Sequence, residues 1–436
     1  MKRPIIIALL VAALMLVLAG IAVVIFFTAN GGFPTNSPFD RRNISSQLEE
    51  NKSLKVDKGK PVTLKVADDS GGASITGADV DKVQVKVVKT AYDSTQARAD
   101  AEVKTIKYTI EQTGNNITLK YELPKSMNFS NKVNTVDFIV TVPRETTVTT
   151  DTNMGKVSVD GTQGNVDIHS DFGEISVENI EGAVSVKTNS GEVNATSIKA
   201  GAEDISLNSD FGGITLKNAN GKDIILDSNS GAITLTEVRA TGDITTKTDF
   251  GDTTFENGSS NTLSVNTNSG TVSLKKVTVS KETKLQDDFG EIELQQTLAS
   301  SYDLHTNSGS INVDGAKGKL KAHTDFGGIK IENAESVTLD LETKSGTVEF
   351  TGSLGTGPHT VHSDFGEIIL TLPAASKLNV DLKTAFGNID SALPITIVTN
   401  GNSNSDGDHI VGSVNGGGEQ LTVQTDSGGV NINTSK

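Results

Sequence analysis

The residues of this sequence that could do chemistry recur at regular intervals. The tripeptide Asp-Phe-Gly begins at residues 171, 210, 249, 288, 325 and 364, and Asn-Ser-Gly begins at 189, 229, 268 and 307, with Lys-Ser-Gly at 344. In protein kinases an Asp-Phe-Gly aspartate holds Mg²⁺. This sequence, however, has no accompanying Gly-rich loop, partner Lys or His-Arg-Asp motif. The even spacing therefore indicates a structural repeat rather than a kinase.

The many oxygen-bearing side chains raise the question of a bound metal. Carboxylate and amide oxygens are the ligands that Ca²⁺ prefers, but the sequence contains neither an EF-hand loop nor a Gly-Gly-x-Gly-x-Asp nonapeptide. We predict no metal site, with calcium binding by the repeated acids as an open alternative. His169, His305, His323 and His362 each stand four residues before a repeat glycine, where we expect solvent-facing side chains rather than metal ligands.

A catalytic site would need acidic residues that depart from the repeat and converge, as in solenoid enzymes that cleave polysaccharides. Asp287 is the candidate, because it stands where the neighbouring repeats carry Ser or Thr, beside Asp288, Glu291 and Glu293. A single divergent position in a ladder is more often a tolerated substitution, and a chain without Trp has few platforms for sugars. We predict no catalytic residue and no cofactor; a polysaccharide-active enzyme is the least favoured alternative.

Composition excludes further classes of protein. The 436 residues include 54 Asp and Glu against 38 Lys and Arg, which gives a net charge of −16. An acidic chain has no electrostatic attraction for phosphate backbones, so we expect no nucleic-acid partner. With no Cys, the chain cannot form disulfides, thiolate metal sites or Cys-linked lipid anchors.

The amino terminus predicts a membrane anchor. Residues 1–4 include the basic Lys2 and Arg3 and precede an uncharged apolar run at 5–27. At about 1.5 Å per residue this run can cross the roughly 30 Å core of a bilayer, with 1–4 in the cytoplasm. A cleaved signal peptide is the alternative, although the run is long and ends in bulky residues. We expect a single-pass signal-anchor at 5–27, a linker at 28–53 and an extracytoplasmic remainder.

The two tripeptides belong to one repeat of about 20 residues. Aligned on their last residue, and extended to each end, they give a series of glycines 18 to 21 residues apart: Gly155, Gly173, Gly191, Gly212, Gly231, Gly251, Gly270, Gly290, Gly309, Gly327, Gly346, Gly366 and Gly387. Apolar and polar residues alternate on both sides of each glycine, the pattern of β-strands. The missing Cβ at the glycine lets the chain turn a corner.

Two further positions repeat beside the glycine. Ser or Thr stands three residues before it, and Phe alternates with Ser one residue before it, the aromatic members being Phe172, Phe211, Phe250, Phe289, Phe326 and Phe365. We expect both positions to face the interior, with Phe on alternate coils because rings on every coil would crowd the core. If the Phe position is buried, Phe250→Ala costs about 3–5 kcal/mol.

These repeats predict an all-β fold, a β-solenoid whose coils stack about 4.8 Å apart. A β-propeller is the alternative, but the two halves of each 39-residue repeat resemble one another, which blade strands need not do. We place a β-rich N-terminal cap and first coil at 54–147, solenoid repeats at 148–391, and a flexible loop with a C-terminal capping coil at 392–436.

The reiterated Ser-Asp-Phe-Gly-x-Ile and Thr-Asn-Ser-Gly-x-Val motifs resemble a bacterial family of β-strand-repeat proteins of unknown function, labelled putative adhesins, over about residues 54–436. The resemblance implies a right-handed β-solenoid located at the cell envelope, and it transfers no catalytic or binding residue.

Anchor and repeat together favour a membrane-anchored, extracytoplasmic β-solenoid that acts as a non-enzymatic surface adhesion or scaffold protein. Its expected partners are the lipid bilayer, through 5–27, and an envelope protein or glycan. An envelope sensor or regulator that recruits a partner protein is the alternative.

Overall fold

The computed structural model describes residues 44–124, 132–402 and 407–435. The predicted signal-anchor at 5–27 and most of the predicted linker lie outside the described residues. Within the described ranges, no helix combines the length and the apolar character that a membrane crossing requires.

The chain divides into two compact units. Of the described residues, the first comprises 44–48, 89–106, 123–124 and 132–135, and the second comprises 49–88, 107–122, 136–402 and 407–435. The first unit contains the helix α1 (Gln96–Glu102), which begins after Thr95, whose side chain accepts a hydrogen bond from the Arg98 backbone N–H at 3.4 Å. The second unit is an all-β solenoid.

One side of the solenoid is made of the strands that lead into the repeat glycines, here called the pre-glycine strands. They pair in parallel in this order: β6 (Asn116–Tyr121), β2 (Val62–Asp68), β8 (Thr146–Met154), β10 (Val166–Phe172), β12 (Val184–Ser190), β14 (Ile205–Phe211), β16 (Ile224–Ser230), β18 (Ile244–Phe250), β20 (Leu263–Ser269), β22 (Glu282–Phe289), β24 (Ser301–Ser308), β26 (Gly318–Phe326), the second half of β27 (Ile329–Ser345), β29 (His359–Phe365), β35 (Glu419–Ser427) and β31 (Leu378–Phe386).

A second side is made of the post-glycine strands, which also pair in parallel, coil on coil: β7 (Thr135–Pro143), β3 (Ala73–Ala78), β9 (Val157–Asp160), β11 (Ile175–Ile180), β13 (Val193–Lys199), β15 (Ile214–Gly221), β17 (Ile233–Ala240), β19 (Thr253–Ser260), β21 (Val272–Val279), β23 (Ile292–Gln295), β25 (Ile311–Asp314), the first half of β27, β28 (Val348–Leu354), β30 (Ile368–Pro373), β36 (Val430–Ser435) and β32 (Ile389–Ser391).

Five strands complete the structure: β1 (Ile44–Lys55), β4 (Lys82–Asp93), β5 (Thr109–Thr113), β33 (Ile395–Asn402) and β34 (Asp408–Val414). Three of them form antiparallel pairs beside the outermost pre-glycine strands. β5 pairs with β6 at one end, and β34 lies between β31 and β33 at the other. An antiparallel strand satisfies part of an edge that would otherwise present free backbone groups.

The parallel, in-register coils establish the predicted solenoid and exclude the β-propeller. Equivalent residues of successive coils are level with each other, as in Val184↔Ile205 and Ile205↔Ile224. The apolar residues seven and five before each glycine, and two and four after it, fill the interior; Leu207 and Leu216 are 0% exposed. A coil of about 20 residues cannot bury this surface alone, so stacking supplies the core.

The repeat glycines stack directly on one another along one corner of the solenoid. A Cβ added to any of them would lie 1.8–2.4 Å from the carbonyl oxygen of the glycine in the adjacent coil. The contact requires glycine because no real Cβ comes so close to backbone. The sequence indicates a corner here, whereas the structure shows that the constraint lies between coils as well as within one.

The Ser/Thr position also links adjacent coils. Its hydroxyl groups donate hydrogen bonds of 2.8–3.1 Å to the glycine carbonyl of the neighbouring coil from Ser209, Ser228, Thr248, Thr306, Thr324, Thr343, Ser363, Thr384 and Thr425. These buried hydroxyls thus satisfy backbone oxygens that the tight corner removes from water.

A second corner was not anticipated from the sequence. Six residues after the glycine the backbone is left-handed, with φ of 49–58° at Asn179, Ser197, Asn218, Glu237, Asn257, Lys276, Gln296 and Asn333. Asn tolerates this conformation better than most residues. The recurrence of Asn at this position was the signal in the sequence that could have predicted the second corner.

The expected burial of the Phe position is wrong. Phe250 is 65% exposed, and its equivalents are similarly exposed. Strand alternation ends at the Ser/Thr position: Ser170 pairs with Thr188 and Phe172 with Ser190, while the residues between them leave the ladder. The parity change therefore precedes the glycine, and the glycine contacts and hydroxyl groups leave no room for rings inside the corner.

The stacking order departs from the sequence order at both ends. The first coil, β2–β3, lies between β6–β7 and β8–β9. The last coil, β35–β36, lies between β29–β30 and β31–β32. Each terminal coil in the sequence is therefore paired on both sides and does not form an edge.

We expect Gly212→Ala to lower the urea midpoint of unfolding strongly, by the equivalent of several kcal/mol, because the Cβ would meet the Gly191 carbonyl oxygen at 2.1 Å. Gly213→Ala is the matched control, since its Cβ would meet only the Ala232 carbonyl oxygen at 3.3 Å. Equal midpoints for the two variants would contradict the glycine contact.

The two Phe environments give a second paired test. Phe255 is 1% exposed, so Phe255→Ala should cost about 3–5 kcal/mol in the free energy of unfolding. Phe250 lies outside the core, and Phe250→Ala should change it by less than about 0.5 kcal/mol. Chemical denaturation followed by circular dichroism measures both, and a large loss in Phe250→Ala would restore the buried position.

Candidate functional site

The most distinctive surface of the second unit is a straight row of exposed rings, here called the Phe column. Its members are 57–75% exposed: Phe172, Phe211, Phe250, Phe289, Phe326, Phe365 and Phe386. Each is brought to the outside of the glycine corner by the end of a pre-glycine strand. Large apolar groups exposed in a contiguous pattern mark interaction surfaces more often than scattered ones do.

A serine separates successive members of the Phe column. Ser230 pairs with Phe211 on one side and with Phe250 on the other, and Ser190, Ser269 and Ser345 likewise pair with a Phe on both sides. Ser308 pairs with Phe326 on one side. With coils about 4.8 Å apart, the rings recur about every 9.6 Å. Each serine therefore forms the floor of a gap between two rings.

The C-terminal coil continues this alternation. In the sequence Phe386 is the next Phe of the column after Phe365, and no Ser coil separates the two. In the structure Ser427 pairs with Phe365 on one side and Phe386 on the other. The inserted coil thus supplies the missing serine, so the irregularity at Phe386 was the available sign of the insertion.

A polar ladder runs beside the Phe column, two residues before each glycine. Asn amides donate to Asp carboxylates of the preceding coil in the pairs Asn189–Asp171 at 2.7 Å, Asn229–Asp210 at 3.4 Å, Asn268–Asp249 at 3.2 Å and Asn307–Asp288 at 2.9 Å. Farther along, Lys344 forms a 2.6 Å ion pair with Asp325. From Phe172 to Ser308, Asp accompanies each Phe and Asn accompanies each Ser, so charge and ring size alternate together over these coils. In the later coils Lys344 accompanies Ser345, Asp426 accompanies Ser427 and Ala385 accompanies Phe386.

The histidines adjoin this ladder. The rings of His305 and His323 stack at 4.9 Å, and His323 lies 3.2 Å from Asp325 and 3.3 Å from Glu342. His362 lies 2.8 Å from Asp364. No group of three or more His, Asp or Glu side chains with metal-binding geometry occurs in the part of the chain that the structure describes. The geometry is that of paired surface side chains.

Asp287, the acid considered for catalysis, faces the interior. It is 2% exposed, and its Oδ1 accepts a hydrogen bond from the Phe289 backbone N–H at 3.1 Å. Its Oδ2 has no hydrogen-bond partner among the described residues. Burial raises the pKa of Asp287 to about 6. Glycans cannot reach a carboxyl enclosed in this way, so Asp287 does not join Asp288, Glu291 and Glu293 in a surface site.

A second buried acid was missed. Asp68 occupies the same inner position in the first coil, three residues before Gly71, and is 3% exposed. Its Oδ1 accepts from the Ser70 backbone N–H at 2.9 Å, and burial raises its pKa to about 8. The offset of Asp68 from Gly71 was the available signal. Both acids replace a Ser/Thr hydroxyl inside the corner.

An open cleft of about 690 Å³ lies where 56–60, 78–82 and 143–145 turn. Its charged groups include two ion pairs, Lys60–Asp57 and Arg144–Asp79, each at 2.9 Å. Exposed pairs of this kind are common on protein surfaces. The cleft therefore offers weaker evidence for a site than the Phe column does.

Replacing Asp287 tests the raised pKa. A raised folded-state pKa favours folding below the unfolded value of about 3.9, and this contribution is lost as pH rises through about 6. Asp287→Thr should therefore stabilise the protein by about 1–3 kcal/mol at pH 8, and the gain should vanish towards pH 4. Asp288→Asn, an equal charge change at the surface, is the control. A pH-independent difference in urea midpoint would contradict the assignment.

Two solved structures are similar to parts of this chain. A crystal structure described as a putative cell adhesion protein from Clostridium sporogenes is 10% identical, with a TM-score of 0.20, over 89% of this chain and 100% of that one. A putative adhesin from Bacteroides fragilis is 13% identical, with a TM-score of 0.29, over 66% of this chain and 98% of that one. No curated protein matches the chain.

The family comparison is more extensive. The Toastrack DUF4097 family model matches residues 74–260 and again 254–433, which together span most of the solenoid and its inserted C-terminal coil. The chain therefore belongs to the Toastrack DUF4097 family.

Proposed function

We propose that the protein is a non-enzymatic surface protein, a membrane-anchored and extracytoplasmic β-solenoid that adheres or scaffolds through the Phe column. The observation that carries the proposal is the row of rings from Phe172 to Phe386, each 57–75% exposed. Ordinary cores bury Phe. Here the Phe residues of the Phe column instead recur on alternate coils along one outer corner, which is typical of a binding surface.

The apolar area is large enough to bind a partner. An aromatic side chain can bury about 150–250 Å², so the exposed part of the Phe column amounts to roughly 700–1,150 Å², comparable with one side of a standard protein interface. The Asp–Asn ladder adds a polar rim along it. A central apolar strip with a polar margin is the usual anatomy of a specific interface.

The interior supports a role without catalysis. The divergent acids Asp68 and Asp287 are enclosed in the corner, and their raised pKa values follow from burial. Catalytic acids must instead reach the substrate from a cleft. The repeated hydroxyls, glycines and left-handed residues all stabilise the stacking of coils.

The membrane anchor and the extracytoplasmic location rest on the sequence of 1–27. An uncharged run at 5–27 after a basic amino terminus supports insertion with the solenoid outside. An anchored solenoid would expose the Phe column on the extracytoplasmic side, where it could meet a surface or another protein.

Adhesion can be measured with cells that produce the full chain. We expect them to attach to an apolar-coated surface at least about 10-fold more than cells carrying the empty vector. The triple variant Phe211→Ser, Phe250→Ser, Phe289→Ser should return attachment to the vector level, because about 2 kcal/mol of apolar burial is lost at each position. Serine is the natural residue of the alternate coils, so folding should be retained.

The matched control removes exposed apolar side chains outside the Phe column. Ile139 and Ile225 are 43% and 47% exposed, and the double variant Ile139→Ser, Ile225→Ser should attach like the unmodified chain. Protease treatment of intact cells checks that all variants are displayed. Unchanged attachment of the triple Phe variant would refute the Phe column as the adhesive surface.

A further inference from the structure

We propose that the Phe column binds the Phe column of a second copy of this chain, antiparallel and offset so that each ring enters a gap above a serine of its partner. The inference rests on the proposed binding role of the Phe column and names its partner. Four features of the column favour a second copy over any other occupant.

The first feature is the repeat distance. The rings recur about every 9.6 Å, twice the spacing of parallel strands. A partner can engage all of them together only if it offers apolar groups at the same period. A second copy has this period by construction, whereas a helix or a lipid surface does not.

The second feature is the size of the gap. A ring placed midway between two rings 9.6 Å apart lies about 4.8 Å from each, within the roughly 4.5–7 Å separation that aromatic pairs prefer. The floor of the gap is Ser190, Ser230, Ser269, Ser308, Ser345 or Ser427. Serine is small enough to admit a ring, which a second Phe at that level would exclude.

The third feature is the phase of the charges. Asp249 lies beside Phe250, and Asn268 lies beside Ser269 on the next coil. For the coils from Phe172 to Ser308, a Phe coil of one copy that is level with a Ser coil of the other places Asp level with Asn and not with Asp. Over these coils the offset that interleaves the rings therefore also keeps the carboxylates of the two acidic chains apart. At Ser345 the residue level with Asp is Lys344, and only the Asp426 coil near the C-terminal end departs from this phase.

The fourth feature is the area. The Phe column presents roughly 700–1,150 Å² of apolar surface, enough to supply the roughly 800 Å² that each partner contributes to a standard interface. Symmetry selects the direction. A two-fold axis along the solenoid would set Phe level with Phe and Asp with Asp, whereas an axis across it can fall between coils and bring Phe level with Ser.

The test fills the gaps. The full chain is placed in lipid nanodiscs at one copy per disc, and its dimerisation is followed by sedimentation equilibrium. We expect dimers in the micromolar range or tighter. Ser269→Phe with Ser308→Phe should weaken dimerisation about 100-fold or more, although it makes the surface more apolar, because the central gaps are closed. Phe250→Ser with Phe289→Ser should weaken it comparably.

The matched control adds a ring elsewhere. Thr245 is exposed on β18 outside the Phe column, and Thr245→Phe should dimerise like the unmodified chain. Thermal unfolding of each variant checks that it is folded. Dimerisation that persists or strengthens in the gap-filled variant would overturn the interleaved arrangement, and an unmodified chain that stays monomeric at all concentrations would overturn the second copy as partner.

These outcomes separate the two proposals. If the chain is monomeric but the Phe→Ser changes still abolish its attachment to surfaces, the second copy is refuted as the partner and the adhesive role is retained. If the chain dimerises, and the same changes dissociate the dimer but leave attachment to surfaces intact, the second copy is retained as the partner and the adhesive role is refuted.

Discussion

The whole solenoid depends on the contact between glycines of adjacent coils. At this corner the backbones approach so closely that a Cβ would lie 1.8–2.4 Å from a carbonyl oxygen. The contact aligns the coils, and in nine of the described coils a Ser or Thr hydroxyl then donates a hydrogen bond to the glycine carbonyl of the neighbouring coil. Because the inside of the corner is already filled, the residue before the glycine must point outwards. The exposed Phe column is thus a consequence of how the corner packs.

The sequence predicted those parts of the fold that depend on period. The spacing of the glycines gave the coils, and the alternation around Ile205 and Ile214 gave their inward residues. The predicted inward direction of the Phe250 side chain was wrong. The apolar residue type suggested burial, but the strand leaves its ladder one residue before Phe250. A parity change of this kind depends on backbone hydrogen bonds, which residue type alone does not encode.

The order of the stack is a property that a repeat cannot specify. Every coil presents similar edges, so the pattern does not say which coil lies beside which. Insertion of β35 between β29 and β31 is favoured because it pairs both edges of the last coil in the sequence. The uninterrupted succession of Phe365, Ser427 and Phe386 further suggests that the same arrangement preserves the period of the Phe column. The insertion of β35 thus both protects the strand edges at this end and keeps the Phe column regular.

One set of Phe side chains lies outside the solenoid, and another set lies inside it. Hydroxyl-radical footprinting of the full chain, at a dilution where it is monomeric, measures this for each ring by mass spectrometry. We expect rapid oxidation of Phe211, Phe250 and Phe289, which are 65–66% exposed. We expect strong protection of Phe255 and Phe350, which are 1% exposed. Equal protection of both sets would contradict this arrangement.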